Sequence, residues 1–209
     1  MTHNFGHRDG NIASDQIVLA HEYLATDKRI LFLYGPIFGM PVRGDVFGPS
    51  YLADTMLAMA YKSNDPITLV IDSGGGSVSD GLMLYDTMKT LSCPVYTVAR
   101  TAYSMAAILL CAGERGHRYI YPSSKVMLHL ISGTVSGDET EIAIGSKEMK
   151  KAKDAMLDIL QANGVTVSRA QLLRDINRDF WMGAQEAIDY GVADHIVTKG
   201  FFGTITSGG

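Results

Sequence analysis

Unbroken apolar runs of strand length at residues 30–34, 67–71 and 95–99, alternating with stretches of helical periodicity, constrain this chain more than any other feature. A run with no polar alternation has to be buried on both faces, as happens where helices cover both sides of a mainly parallel sheet. The intervening segments supply such helices. Residues 51–61 place Leu52, Met56 and Met59 on one face, and residues 78–91 do the same with Leu82, Tyr85 and Met88. Turn signals fall between them, at Asn64-Asp65-Pro66 and at 72–77. The recurrence of strand, turn, helix and strand predicts an α/β fold, a mainly parallel sheet flanked by helices.

The pattern repeats once more, with a turn at 100–103, an apolar helix at 104–112, and strand material at 118–121 and 125–130 on either side of Pro122. Before the first strand, residues 1–13 read as a polar arm and 14–25 as a helix, and a Gly/Pro-rich loop follows at 38–49. Residues 132–137 are Ser- and Gly-rich and read as a flexible or edge-strand segment. The longest helical pattern, 138–162, would extend about 36 Å at about 1.5 Å per residue, with Met149, Ala152, Met156, Ile159 and Leu160 as its stripe. Such a helix overhangs a compact domain, so part of it is expected to pack against something outside. Gly145 costs it up to about 1 kcal/mol of propensity. Asn163-Gly164 stops it, Ser168 and Gln171 suit a capping box, and a helix at 185–190, Gly191 and a strand at 194–197 close the chain.

With 209 residues the chain has room for one domain and no second catalytic one. Its 18 basic and 22 acidic side chains are interspersed, which argues against nucleic-acid binding through a broad basic footprint. The cluster Lys147, Lys150, Lys151 and Lys153 is interrupted by Glu148 and Asp154 and reads as a solvated helix face. Cys93 and Cys111 lie in no metal-ligand spacing and read as reduced core residues. No basic-then-apolar leader and no 18-residue apolar stretch is present, so a cytoplasmic protein without membrane contact is expected. Only 19 % of residues are charged, which suggests that some apolar surface lies in subunit contacts.

Three features carry chemistry. Asp72-Ser73-Gly74-Gly75-Gly76 follows a buried strand, and its glycines let backbone N–H groups turn toward an anion or an oxyanion, although the same residues also suit a plain tight turn. Ser104 stands where a turn enters an apolar helix. Its hydroxyl either caps that helix or acts as a nucleophile beside the free amide of Met105. His129 ends a strand in which Met127 and His129 share one face, the position of a general base or of a satisfied structural histidine. Asp175, Asp179 and Asp194 are all candidates for an orienting carboxylate.

As an ordered set, Gly75-Gly76, Tyr103-Ser104-Met105-Ala106-Ala107, Lys125 to His129, and Arg178-Asp179 ahead of Trp181 resemble the ClpP family, the proteolytic component of ATP-dependent Clp proteases, over residues 28–198. The resemblance implies a ClpP/crotonase-like fold and serine endopeptidase chemistry without a cofactor or metal. It further implies Ser104 as nucleophile, His129 as base, Asp179 as orienting carboxylate, and Gly76 and Met105 as oxyanion donors. Gly75, Leu130, Ile131, Ser132 and Gly133 would contact substrate. It divides the chain into an axial-pore arm and first helix at 1–27, a head at 28–131 and 164–198, a handle at 132–163 with a Gly-rich strand and long helix, and a flexible tail at 199–209. Implied partners are copies of the same chain in two stacked heptameric rings, a paralogous ring, an AAA+ unfoldase of the ClpX, ClpA or ClpC type, and unfolded polypeptides.

The family pattern is altered at Arg100-Thr101, at Ser73-Gly74-Gly75-Gly76 where Ser-Pro-Gly-Gly is usual, and at His129-Leu130-Ile131 where His-Gln-Pro is usual. The first bears on shape and charge near Ser104, and the last on the strand that would meet the peptide backbone. Two other readings stand beside the active peptidase. One is a weakly active or structural ring subunit that needs a paralogue, and the other is a crotonase-like acyl-CoA enzyme, for which the sequence offers no clear phosphate or adenine site.

Overall fold

A computed structural model describes residues 12–38 and 48–205. The expected arm up to residue 11, most of the Gly/Pro-rich loop and the last four residues lie outside that range. In chain order the elements are α1 (Ile12–Lys28), β1 (Ile30–Tyr34), α2 (Pro49–Lys62), β2 (Ile67–Ser73), α3 (Val78–Thr90), β3 (Val95–Tyr103), α4 (Met105–Cys111), β4 (Arg118–Ile120), β5 (Lys125–Leu128), α5 (Glu139–Ala162), α6 (Arg169–Asp175), β6 (Phe180–Gly183), α7 (Ala184–Asp189), β7 (His195–Ile196) and α8 (Phe201–Ile205).

The sheet order β1-β2-β3-β4-β7 is parallel throughout, as the unbroken apolar strands require. Alternation sorts its side chains: Leu31, Leu33, Leu69 and Ile71 enter the main core, whereas Ile30, Phe32, Val70 and Val98 form a second core with Val197 and Phe201. α8 covers that second face, so residues 201–205, expected in a flexible tail, form a helix because Phe201 has an apolar surface to bury.

β3 decides where the site lies. Residues 100–103 were expected to turn, yet the strand runs on to Tyr103 because it changes partner on the way. Thr97, Val98 and Ala99 pair with β4, then Ala102 and Tyr103 pair with β5. Between these stretches the register against β2 slips, Ile71 facing Ala99 and Asp72 facing Thr101, which leaves Arg100 as the extra residue of a bulge. The slip inverts the alternation. Ala102 becomes the buried residue, and Tyr103 turns to the other side.

β6 is antiparallel to β5 and was not foreseen as a strand. Phe180 and Trp181 favour extended backbone, but the run is too short to announce itself without its partner.

α5 carries a full capping box, with the Asp138 side chain accepting from the Glu141 amide and Glu141 reaching back. Its buried residues are confined to Met156, Leu157, Ile159 and Leu160, so the first four turns leave the core. Residues 132–137 run beside those turns without a ladder partner among the described residues, and the Gly-rich segment is not a strand here. Gly145 has a local reason: a Cβ there would collide with Val135. At α6 only half of the expected capping box forms, because Ser168 accepts from the Gln171 amide while the Gln171 side chain is taken by Asp175 and Arg174.

One buried node ties the end of the chain to the sheet. Arg118, 2 % exposed, donates to both carboxylate oxygens of Asp194 and to the carbonyls of Cys111, Asn163 and Gly191. Burial alone would raise the Asp194 carboxyl, but the hydrogen bonds and charge of Arg118 outweigh it and hold the group below its ordinary value. Burial pushes the Cys111 thiol up to about 11, with Arg118 opposing, so it stays a neutral core residue. Both cysteines are free and buried.

Candidate active site

Ser104 links the last residue of β3 to the first of α4 with φ 55° and ψ −124°, a conformation that an L-residue holds only when its surroundings insist on it. Its amide donates to the Met127 carbonyl at 2.8 Å. Although Ser104 occupies the cap position, its hydroxyl bonds no helix amide. Oγ lies instead 2.8 Å from Nε2 of the half-buried His129. Two residues 25 positions apart therefore meet because β3 and β5 are parallel neighbours whose carboxyl ends coincide.

The three carboxylates separate by their partners. Asp194 is held by Arg118, and Asp175 accepts from Tyr190 Oη at 2.9 Å and from Gln171. The Asp175 contact and burial raise the tyrosine's pKa well above its ordinary value, burial being the larger cause. Asp179 is exposed and stands just before β6. The antiparallel register Leu128 to Phe180, carried one residue further, sets it opposite His129. Among the described residues no hydrogen bond joins the two.

The glycine loop closes the other side of Ser104. Gly75 has φ 87°, and a Cβ on it would lie 2.6 Å from the Tyr103 carbonyl oxygen, 2.8 Å from Ser104 Cβ and 3.0 Å from the Met105 nitrogen. Only glycine allows this approach. Gly76 is held by a parallel bridge to Ile37, with Ile37 N donating to Gly75 O at 2.9 Å and Ser77 N donating to Ile37 O at 2.8 Å. Ser73 Oγ takes the Gly75 amide at 3.1 Å. Among the described residues the N–H groups of Gly76 and Met105 have no acceptor; Met105 directly follows Ser104, and Gly76 directly follows the Gly75 that approaches it. Such free donors suit an oxygen that gains negative charge. Ile37 and Ser73 shape this loop; Ser73 belongs to the glycine-rich stretch already singled out, whereas Ile37 offers the sequence only an isolated apolar residue.

The remaining expected contacts are spread along the chain that leaves His129. Leu130 donates its amide to Ile176 O at 2.9 Å, Leu130 and Ile131 are half-buried against the main core, and Ser132 and Gly133 are exposed. Arg100 does not approach Ser104. It points to the far side of the sheet, where Nη1 donates to Tyr34 Oη at 3.2 Å and the guanidinium lies over the Phe32 ring. Alternation along the strand is the physical reason: Arg100 shares its face with Val98, which packs in the second core beside Phe32.

Residues 23–200 match the family described as Clp protease. The chain belongs to the Clp protease family. This Clp protease chain has the family's α/β fold, with a mixed parallel and antiparallel sheet flanked by helices. It is a ClpP-family proteolytic subunit, with the serine-type endopeptidase activity typical of that family. Membership implies association into an oligomeric ring and with an AAA+ partner. Among the described residues no helix is long and apolar enough to cross a membrane.

Proposed function

We propose that Ser104 is the nucleophile of this Clp protease subunit, His129 its general base and Asp179 the carboxylate that orients the imidazole. The observation that carries the reading is the 2.8 Å contact between Ser104 Oγ and His129 Nε2 at a serine whose backbone is strained. His129 Nε2 takes the hydroxyl proton as Oγ bonds to the peptide carbonyl carbon. The carbonyl oxygen becomes an oxyanion that accepts from the N–H groups of Gly76 and Met105. Collapse breaks the C–N bond, and His129 passes its proton to the leaving amine. Water then attacks the acyl-enzyme by the same route, releasing a carboxylate and restoring Ser104. Substrate would run past Gly75 and along Leu130, Ile131, Ser132 and Gly133.

In the same reading, residues 132–163 form a handle between two stacked heptameric rings, and the enclosed sites receive unfolded polypeptides from an AAA+ unfoldase of the ClpX, ClpA or ClpC type. A cytoplasmic setting belongs to this proposal. The test is hydrolysis of a short fluorogenic peptide by the native protein and by Ser104→Ala, with native mass measured beside it. The variant assembles normally and loses about three or more orders of magnitude in kcat, as when the members of a triad act as a unit. Equal hydrolysis by both sinks the assignment.

The open contact between Asp179 and His129 favours a second reading, in which a paralogous ring completes the site. Fluorophosphonate labelling of Ser104 only after the paralogue is added would establish it. Labelling of the protein alone would exclude it.

A further inference from the structure

Ser104 keeps its left-handed backbone against the ordinary preference of an L-residue, so its neighbours have to hold it. On its C-terminal side Met105 is buried, and its side chain fills the space that Gly81 leaves free, where a Cβ would collide with it. On its N-terminal side the peptide plane shared with Tyr103 is gripped at both edges. Its carbonyl oxygen lies against Gly75, and its N–H donates to Met127 O. The remaining freedom is that of the Tyr103 side chain, which the bulge has turned away from the core.

That side chain meets Trp181. The two rings are 4.8 Å apart between centroids and inclined by 72°, an edge-to-face pair. Register places Tyr103 beside Met127 and Met127 beside Trp181, so the row crosses three strands. Period-two alternation puts Trp181 on the same face as Asp179, and Met127 on the same face as His129. Trp181 is the one tryptophan of the chain, yet it is 48 % exposed and contributes to neither core.

We propose that Trp181 is a positioning residue: its ring holds Tyr103, and through the shared peptide the Ser104 backbone, in line with the strands that carry His129 and Asp179. This rests on Ser104 being the nucleophile. The clamp joins the nucleophile's strand to the carboxylate's strand. Loosening it displaces Oγ relative to Nε2 and leaves substrate binding unaltered, which separates its effect on kcat from any effect on KM.

The test compares native protein, Trp181→Leu, Trp181→Phe and a Ser104→Ala blank. In Trp181→Leu, kcat for peptide hydrolysis and the rate of fluorophosphonate labelling at Ser104 both fall about tenfold, the effect of losing one aromatic pair, while KM stays within about twofold. Native mass is unchanged, and Trp181→Phe, which keeps a ring edge for Tyr103, recovers most of the loss. In the native protein, labelling of Ser104 shifts the emission of Trp181, a readout that stands even if Trp181→Leu does not fold. Unaltered labelling in a folded Trp181→Leu overturns the clamp alone, as does a loss that follows native mass or an emission indifferent to labelling. Absence of labelling in the native protein, equal to the Ser104→Ala blank, overturns the nucleophile assignment and the clamp with it.

Discussion

At the scale of single residues, the site depends on atoms that are missing as much as on those present. Gly75 permits the glycine loop to touch the peptide that precedes Ser104, and a methyl group there would enter the van der Waals shells of both Tyr103 O and Ser104 Cβ. Its φ of 87° adds a backbone penalty for any other residue. Gly75→Ala is therefore expected to slow fluorophosphonate labelling of Ser104 by about 100-fold or more, because reacting groups moved by an ångström lose about that much. Native mass would be retained, since the collision is local. Labelling at the native rate would show that the loop relaxes freely and that the close approach is immaterial. Ser104 and His129 were legible as candidates from their places at a helix start and a strand end. Only the family resemblance, and no feature of the residues themselves, set Asp179 apart from Asp175 and Asp194, because a carboxylate's role depends on what faces it.

At the scale of elements, the Arg118–Asp194 node shows how the last strand is secured. The arginine is almost wholly enclosed and gives its donors to an ion pair and three carbonyls, so removing the carboxylate's charge leaves a buried cation uncompensated. Asp194→Asn is expected to lose about 3 kcal/mol or more of stability at neutral pH, read as a lower denaturant midpoint. The folded carboxyl titrates below its ordinary value of 3.8, so this contribution is present above that value and is lost as pH falls through the folded pKa. The gap between native and variant should accordingly close in acid. A gap that stays constant with pH would assign the loss to packing. β6 marks the limit of element-level reading, because four residues carry little periodicity and their extended form comes from the ladder with β5.

At the scale of the whole molecule, α5 is longer than the body it joins can cover. Only its last two turns are buried, while Ile142 and Ile144 are 47 % and 57 % exposed on turns that touch little but residues 132–137. Apolar side chains left on a projecting helix call for a partner, and a ring-forming family supplies one. Ile142→Glu combined with Ile144→Glu is expected to split the proposed double ring into single rings by native mass spectrometry. The subunit's own melting temperature should move by no more than a few degrees, because neither residue enters its core. An assembly of unchanged mass would remove this face from the contact between rings.

Local information was enough for the order of helices and strands apart from β6 and α8, the buried parallel sheet and the candidates Ser104, His129 and the glycine loop, because burial periodicity and turn chemistry are written within a few consecutive residues. The bulge at Arg100, the pairing of β5 with β6 and the meeting of Tyr103 with Trp181 came only from the folded chain. Each is a register between strands distant in sequence, fixed by which hydrogen-bonded alignment buries the most apolar surface, and no single segment contains that comparison.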